Sequence, residues 1–303
     1  MKDLQFLAKI YGVRGSYPIA PPEGTEYGGN TTCLLIRTKD HIVIFDAGSG
    51  IIKLGRELVP EILAHKQKSK NPFHISILFT HTHIDHLIGF PYFAPLYIPG
   101  VHLHLIGPAT LGVDFEDILR TLVEPQYYPV SMDEFRSDKE FDNINENMIV
   151  CYNEGDGHPT IVTAGDPKIE KADLVVSNMK YYFHPKDGSF NYRVQWNKHS
   201  LVLATDVEQY AGSDQRMVKF AEGADVLIHD SQYTLEQYLQ FQGYGHSNYE
   251  MACQVALKSK VKKLLLFHHD PNNSDDVLRK IETESKQIFP GAELASENWE
   301  WKL

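Results

Sequence analysis

Residues 75–90 read Ile75-Ser-Ile-Leu-Phe-Thr-His81-Thr-His83-Ile-Asp85-His86-Leu-Ile-Gly-Phe90, a short apolar run that empties into three histidines and an aspartate within six positions. Such a run predicts a buried strand that leaves the core at a polar site. Alternate residues of a strand share a face, so His81 and His83 are expected to point one way and Thr82 the other, with Asp85 and His86 following on a turn. Imidazole and carboxylate suit zinc and its first-row neighbours, and so dense a cluster offers two cations a shared wall of ligands.

The same design recurs along the chain. His41-Ile-Val-Ile-Phe-Asp46-Ala-Gly48 delivers a carboxylate to a flexible loop, Ser200-Leu-Val-Leu-Ala-Thr-Asp206 another, and Asp225-Val-Leu-Ile-His229-Asp230 a third. Val261-Lys-Lys-Leu-Leu-Leu-Phe-His268-His269 ends on two histidines, and His184 closes a strand that begins near Met179. Asp46 is expected to orient a histidine or loop amides rather than to bind a cation itself. Five apolar strands thus end in Asp46, His81/His83, Asp206, His229/Asp230 and His268/His269. These ends converge if they share one rim, in one sheet or in two facing sheets covered outside by helices.

A first strand is expected over 4–13. Helical spacing or caps predict helices over 51–68, 110–123, 212–223, 234–242, 248–259 and 274–287. Phe90 to Tyr97, with Tyr127 and Tyr128, are candidates for an aromatic pocket wall. His102 and His104 share a strand face, but no acid accompanies them in sequence, and they read as strand residues rather than ligands. Residues 137–172 are acidic and turn-rich, with His158 on an exposed loop. Short strands are expected around 147–152 and 173–182.

A chain of 303 residues with 42% apolar content fits a single domain, 1–303, with a less regular insert around 137–172. A net charge of -11 argues against a protein that grips long nucleic acid through many phosphates, whereas a small anion is welcome where cations reverse the local field. Cys33, Cys151 and Cys253 have no C-x-x-C spacing and read as inert thiols. The N-terminus lacks the layout of a signal peptide and no apolar run reaches membrane-spanning length, so a cytoplasmic location is expected.

His81-Thr-His83-Ile-Asp85-His86 resembles the H-x-H-x-D-H motif of the metallo-β-lactamase superfamily of binuclear hydrolases. Asp46-Ala-Gly-Ser-Gly resembles its early aspartate-glycine strand end, His184 its third-motif histidine, Asp206 its bridging aspartate and His268 its last histidine. The resemblance implies an α/β fold, the αββα sandwich of two facing mixed sheets with helices outside and the site on one edge. It further implies one cation held by His81, His83 and His184, a second held by Asp85, His86 and His268, and Asp206 shared between them. His269 competes with its neighbour for the last position. Zinc is the first choice for both cations, and manganese or iron fits the same shell.

Gly12-Val-Arg14-Gly-Ser, Gly28-Gly-Asn-Thr and Gly245-His246-Ser resemble the phosphodiester-cleaving branch, which includes ribonuclease Z and related cyclic-nucleotide phosphodiesterases. In that branch a Gly-His-Ser-Thr histidine, here His246, donates a proton, supported by an acid of a His-Glu-Ala-Thr motif, here Asp230. The shorter aspartate and Asn248 depart from the pattern. Asp85 is counted with His246 and Asp230 as catalytic. The implied reaction is attack on phosphorus by a water that two divalent cations acidify to a pKa of about 7. Transfer-RNA-processing members carry a long arm between third-motif histidine and bridging aspartate, whereas here His184 and Asp206 stand only 22 positions apart. A small phosphodiester is therefore expected, a 3′,5′-cyclic nucleotide first, with no long nucleic acid and no membrane as partner. The alternatives are transfer-RNA 3′ processing and hydrolysis of a lactone, thioester or β-lactam. Relatives in this branch imply a homodimer.

Overall fold

The computed structural model describes residues 5–20, 25–210 and 212–303. Residue 4, where the first strand was expected to begin, lies outside them. Along the first half of the chain run β1 (Phe6–Gly12), β2 (Cys33–Thr38), β3 (Ile42–Phe45), β4 (Phe73–Leu78), β5 (Val101–Gly107) and β6 (Asp138–Asn143). There follow β7 (Met148–Tyr152), β8 (Thr160–Thr163), β9 (Leu174–Tyr181), β10 (Ser189–Trp196), β11 (His199–Ala204), β12 (Val226–Asp230), β13 (Lys263–Phe267) and β14 (Ala292–Leu294). The last strand, β15 (Glu300–Lys302), returns to the start. Among the described residues these strands make one sheet in the order β15-β1-β2-β3-β4-β5-β6 and another in the order β14-β13-β12-β11-β10-β9-β7-β8.

Period-2 alternation sends each strand's apolar side chains to two different cores. From the first sheet Phe6, Ile10, Leu34, Ile36, Val43 and Phe45 face Tyr192, Leu201, Leu203, Ile228, Leu265 and Phe267 of the second. Their alternates, such as Leu35, Ile44, Ile75 and Ile77, pack on α1 (Ile51–Lys68) and, past a short α2 (Ile84–Leu87), on α3 (Phe115–Leu122). On the second sheet Val202, Leu227, Leu264 and Leu266 meet α4 (Gln215–Phe220) and, beyond α5 (Leu235–Phe241), α6 (Tyr249–Ser259) and α7 (Asp275–Ile288). The result is the αββα sandwich. With each buried Leu, Ile or Phe contributing about 1.5–3 kcal/mol, these three layers hold the sheets in register and fix the rim where their strands end.

Both sheets mix directions in a way that serves that rim. β3 through β6 are mutually parallel, as are β11 through β14. Parallel strands place their C-terminal ends together, so the loops after β3, β4, β11, β12 and β13 emerge side by side.

Three expectations shift. The helix expected over 110–123 starts at Phe115, because Leu111 and Gly112 take positive φ (51° and 82°) and Thr110 pairs with Val113 in a tight turn. The helix expected over 212–223 spans only Gln215–Phe220, begun by Asp214, whose side chain accepts the Arg216 amide. Residues 137–172 are more regular than their composition suggests: β6 forms an edge of the first sheet, and β7 and β8 an edge of the second. Edge strands open to water on one side lack the apolar alternation by which a strand is read. Cys33, Cys151 and Cys253 are buried and unpaired. No helix among the described residues is long and apolar enough to cross a membrane.

Candidate metal centre

β4 ends at Leu78, three residues before the first histidine, so His81 and His83 sit on a loop rather than on strand alternation, and Asp85 and His86 belong to α2. The rings nonetheless meet, with the His81 and His83 centroids 4.5 Å apart. A buried carboxylate organises the turn. Asp46, at φ 61°, accepts the Thr80 amide at 2.8 Å, the Thr80 hydroxyl at 2.9 Å and the His86 Nδ1–H at 2.8 Å. That last bond assigns the His86 tautomer and leaves its Nε2 as a bare lone pair. The structure thus gives Asp46 the orienting position expected of it.

Asp206 stands at the middle. It follows β11 in the left-handed region (φ 57°), which turns its carboxylate out of the sheet plane and into the rim. Its Oδ1 lies 3.6 Å from His81 Nε2 and 3.5 Å from His184 Nε2, and the latter is 3.0 Å from His83 Nδ1. Its Oδ2 lies 3.1 Å from His86 Nε2 and 3.4 Å from His268 Nε2, and Asp85 Oδ2 is 3.4 Å from each of those nitrogens. Each oxygen of one carboxylate therefore faces its own cluster. His81, His83 and His184 make one; Asp85, His86 and His268 make the other.

The donor sets fit divalent cations. Nε2 of His81, His86 and His268 are buried without a hydrogen-bond partner among the described residues, a costly arrangement unless something supplies one. Bonds of about 2.0–2.1 Å at tetrahedral angles separate donor atoms by about 3.3 Å, which is the spacing found. Burial pushes the imidazoles of His81, His83 and His184 down, the last to about 4, which keeps them in the neutral, ligating form. His86 goes the other way. Burial opposes its charge, but Asp206, Asp85 and Asp46 outweigh it, and a cation among those carboxylates answers the same field as a proton.

Beyond the two clusters, His246 Nδ1 donates to Asp230 Oδ2 at 2.8 Å and lies 4.0 Å from Asp206 Oδ1. Its Nε2 has no partner among the described residues. Asp230 is fixed in turn by the amides of Ser247 and Gln232, at 3.1 and 3.2 Å. Burial alone would lower the His246 pKa, but Asp230 by charge and hydrogen bond, then Asp206 and Asp85, raise it to about 9.

Two contributors escaped the sequence reading. Gln232 Oε1 accepts from His268 Nδ1 at 3.0 Å, so it does for His268 what Asp46 does for His86. Glu208, nearly fully buried, accepts the amides of Gly243 and Gly245 at 2.8 and 2.9 Å and anchors the loop that carries His246. A carboxylate two residues beyond Asp206 was the available signal, although nothing local says which loop it grips. Gly245 is required where it stands: it takes φ 93°, its carbonyl accepts from His184 Nδ1 at 3.1 Å, and a Cβ there would sit 2.3 Å from that same nitrogen.

Other candidates point elsewhere. His268 faces the cluster, whereas the His269 ring donates to Ala295 O at 2.9 Å. His229 is buried against the Asp230 carbonyl at 2.7 Å. Arg14, in the glycine loop that resembles the phosphodiester branch, is 1% exposed and spends its guanidinium on the carbonyls of Gly28, Asp270 and Asn273. It braces the rim from below, and its remaining Nη2 faces Asp275 at 3.9 Å. Phe90 and Phe93 are core residues under α1 and cannot stack on a ligand, which leaves Tyr92, Tyr97 and Tyr127 as the exposed members of the expected wall.

Residues 41–269 match the family described as the beta-lactamase superfamily domain. A protein named ribonuclease Z from Picrophilus torridus is 24% identical, with 98% of this chain and 96% of that one covered. The metallo-beta-lactamase fold protein YhfI from Bacillus subtilis superposes with a TM-score of 0.65 at 20% identity, covering 98% of this chain and 99% of that one. A diphosphatase from the PhnP family superposes with a TM-score of 0.62 at 14% identity, covering 99% and 98%.

Proposed function

Because the chain belongs to the beta-lactamase superfamily and is a hydrolase that works with divalent metal ions, we propose that it hydrolyses a small phosphodiester, a 3′,5′-cyclic nucleotide first, at a two-cation centre. His81, His83, His184 and Asp206 would hold one cation, and Asp85, His86, His268 and Asp206 the other, zinc in the first instance. When bound, the cations supply an acidified water and neutralise the non-bridging oxygens of the phosphodiester.

The observation that carries the reading is the His246–Asp230 pair. An imidazole held 2.8 Å from a buried carboxylate stays protonated at neutral pH and presents Nε2–H beside the centre, where a leaving alkoxide needs a proton. Asp230 holds the ring through Nδ1, the Ser247 and Gln232 amides hold Asp230, and Glu208 holds the loop. Substrate size is argued from shape and charge. All residues between His184 and Asp206 are consumed by a tight turn, β10 and β11, so no arm projects there, and a net charge of -11 offers no basic track for an RNA backbone.

A second reading, 3′ processing of precursor transfer RNA, is favoured by the relative named ribonuclease Z, which aligns along nearly its whole length. The test is a screen of protein reconstituted with zinc or manganese against cyclic nucleotides, bis-p-nitrophenyl phosphate, precursor transfer RNA, nitrocefin and an acyl lactone. Turnover of the cyclic nucleotides and the aryl diester is expected. Cleavage of RNA alone would select the second reading, and turnover of only nitrocefin or the lactone would refute both.

A further inference from the structure

A second histidine cluster lies at the opposite end of the first sheet from the rim. His74 on β4 is paired in register with His102 on β5, and His104, two residues on, is paired with Glu140 on β6. Period-2 alternation puts His102 and His104 on the side of the sheet that faces its partner sheet. The acid that the local sequence did not show therefore arrives from a neighbouring strand. The loop joining β7 to β8 closes over them from the second sheet. Its Gly157 is so close that a Cβ there would sit 2.6 Å from the His74 ring, and the next residue is His158.

Three histidine nitrogens converge on one oxygen. His104 Nδ1 is 3.2 Å, His158 Nε2 3.1 Å and His102 Nε2 3.6 Å from Glu140 Oε2. His104 is fully buried, and its Nδ1 and the Nε2 of His102 are buried atoms with no hydrogen-bond partner among the described residues. His104 Nε2 is 3.0 Å from His74 Nδ1, and when His104 is the donor of that bond its Nδ1 is bare and aimed at Glu140.

Protons cannot satisfy this group well. The rings of His102 and His104 stack at 4.6 Å, and His74 stacks on both at 5.3 Å, so charging more than one of them places like charges face to face. Two imidazoles and one carboxylate whose donor atoms lie within 4.8 Å of one another are a donor set that suits a zinc-type ion with a fourth position open to solvent.

We propose that His102, His104 and Glu140, with His158 holding Glu140 and His74 orienting His104, form a separate transition-metal site of the zinc type. It lies about 20 Å from the rim, to judge from the six residues of mostly extended chain between His74 and His81. An ion there ties β5 to β6, and the His158–Glu140 contact links the pair to the β7–β8 loop of the other sheet, which makes it a staple rather than a reaction centre. The half-exposed Glu140 and His158 give the ion a way in from solvent. The inference is independent of the substrate proposed above.

The experiment loads the full-length protein with zinc, removes excess by gel filtration and counts bound metal. It compares wild type with a His102→Asn/His158→Asn double variant, both positions being partly exposed, and with the isosteric Glu140→Gln. Wild type is expected to retain one zinc equivalent more than either variant. Its melting temperature should rise more on zinc addition than theirs, with hydrolysis of bis-p-nitrophenyl phosphate unchanged. Equal zinc content in wild type and both variants overturns the proposal. So does a loss of zinc that takes hydrolytic activity with it in Glu140→Gln, since the ion lost would then belong to the rim.

Discussion

Asp230→Asn isolates the charge that keeps His246 protonated. Asp230 Oδ1 already accepts the Ser247 and Gln232 amides, so an asparagine with its oxygen there preserves the loop and presents an NH₂ to His246 Nδ1. That contact demands a bare Nδ1, which the imidazolium lacks. Asp230 at 2.8 Å, by charge and hydrogen bond, is the largest of the groups that hold the His246 pKa up against burial, ahead of Asp206 and Asp85. Removing a carboxylate at that distance lowers a histidine pKa by about 3 units, or about 4 kcal/mol. From about 9 the value falls to about 6, so at pH 7.5 the protonated fraction drops from nearly all to about one in thirty.

The sign follows from the role. General acid catalysis needs the protonated ring, so a lower pKa moves the alkaline limb of the rate profile down by about 3 units and slows alkoxide departure at pH 7.5 by about 30-fold. The assay compares a 3′,5′-cyclic nucleotide, whose alkoxide needs a proton, with bis-p-nitrophenyl phosphate, whose phenolate leaves without one. The variant is expected to keep its metal content and to hydrolyse the aryl diester within about twofold of wild type. Equal losses on the two substrates, or an alkaline limb that stays in place, would refute the general-acid role.

Asp46→Asn keeps a group of the same shape against Thr80 but no longer enforces the Nδ1–H tautomer of His86, and competition with a chromogenic chelator should show zinc affinity lower by about 10–100-fold. Arg14→Met leaves the carbonyls of Gly28, Asp270 and Asn273 without their buried donor. Thermal unfolding should report a loss of about 3 kcal/mol, while KM for the diester stays put; a raised KM with unchanged stability would return Arg14 to the substrate.

The sequence by itself determined the strands that carry the site and the chemistry at their ends, because an apolar run closing on His or Asp is a local pattern. His81, His83, Asp85, His86 and Asp206 were candidates legible in that way, whereas the pairing of two sheets followed from the resemblance that the histidine motif carries. What it could not express was direction. Whether His268 or His269 turns to the rim depends on a left-handed residue at the end of β13 and on Gln232 arriving from the loop after β12. That Arg14 serves the carbonyls of Asp270 and Asn273, that Glu208 grips the Gly243–Gly245 turn, and that Glu140 meets His102 and His104 are all contacts between segments 30 or more residues apart. Such contacts are set by strand order and register, which no window of sequence contains. Only the tertiary structure decided that each oxygen of the Asp206 carboxylate faces its own cluster, and that His74, His102 and His104 gather at the other end of the first sheet.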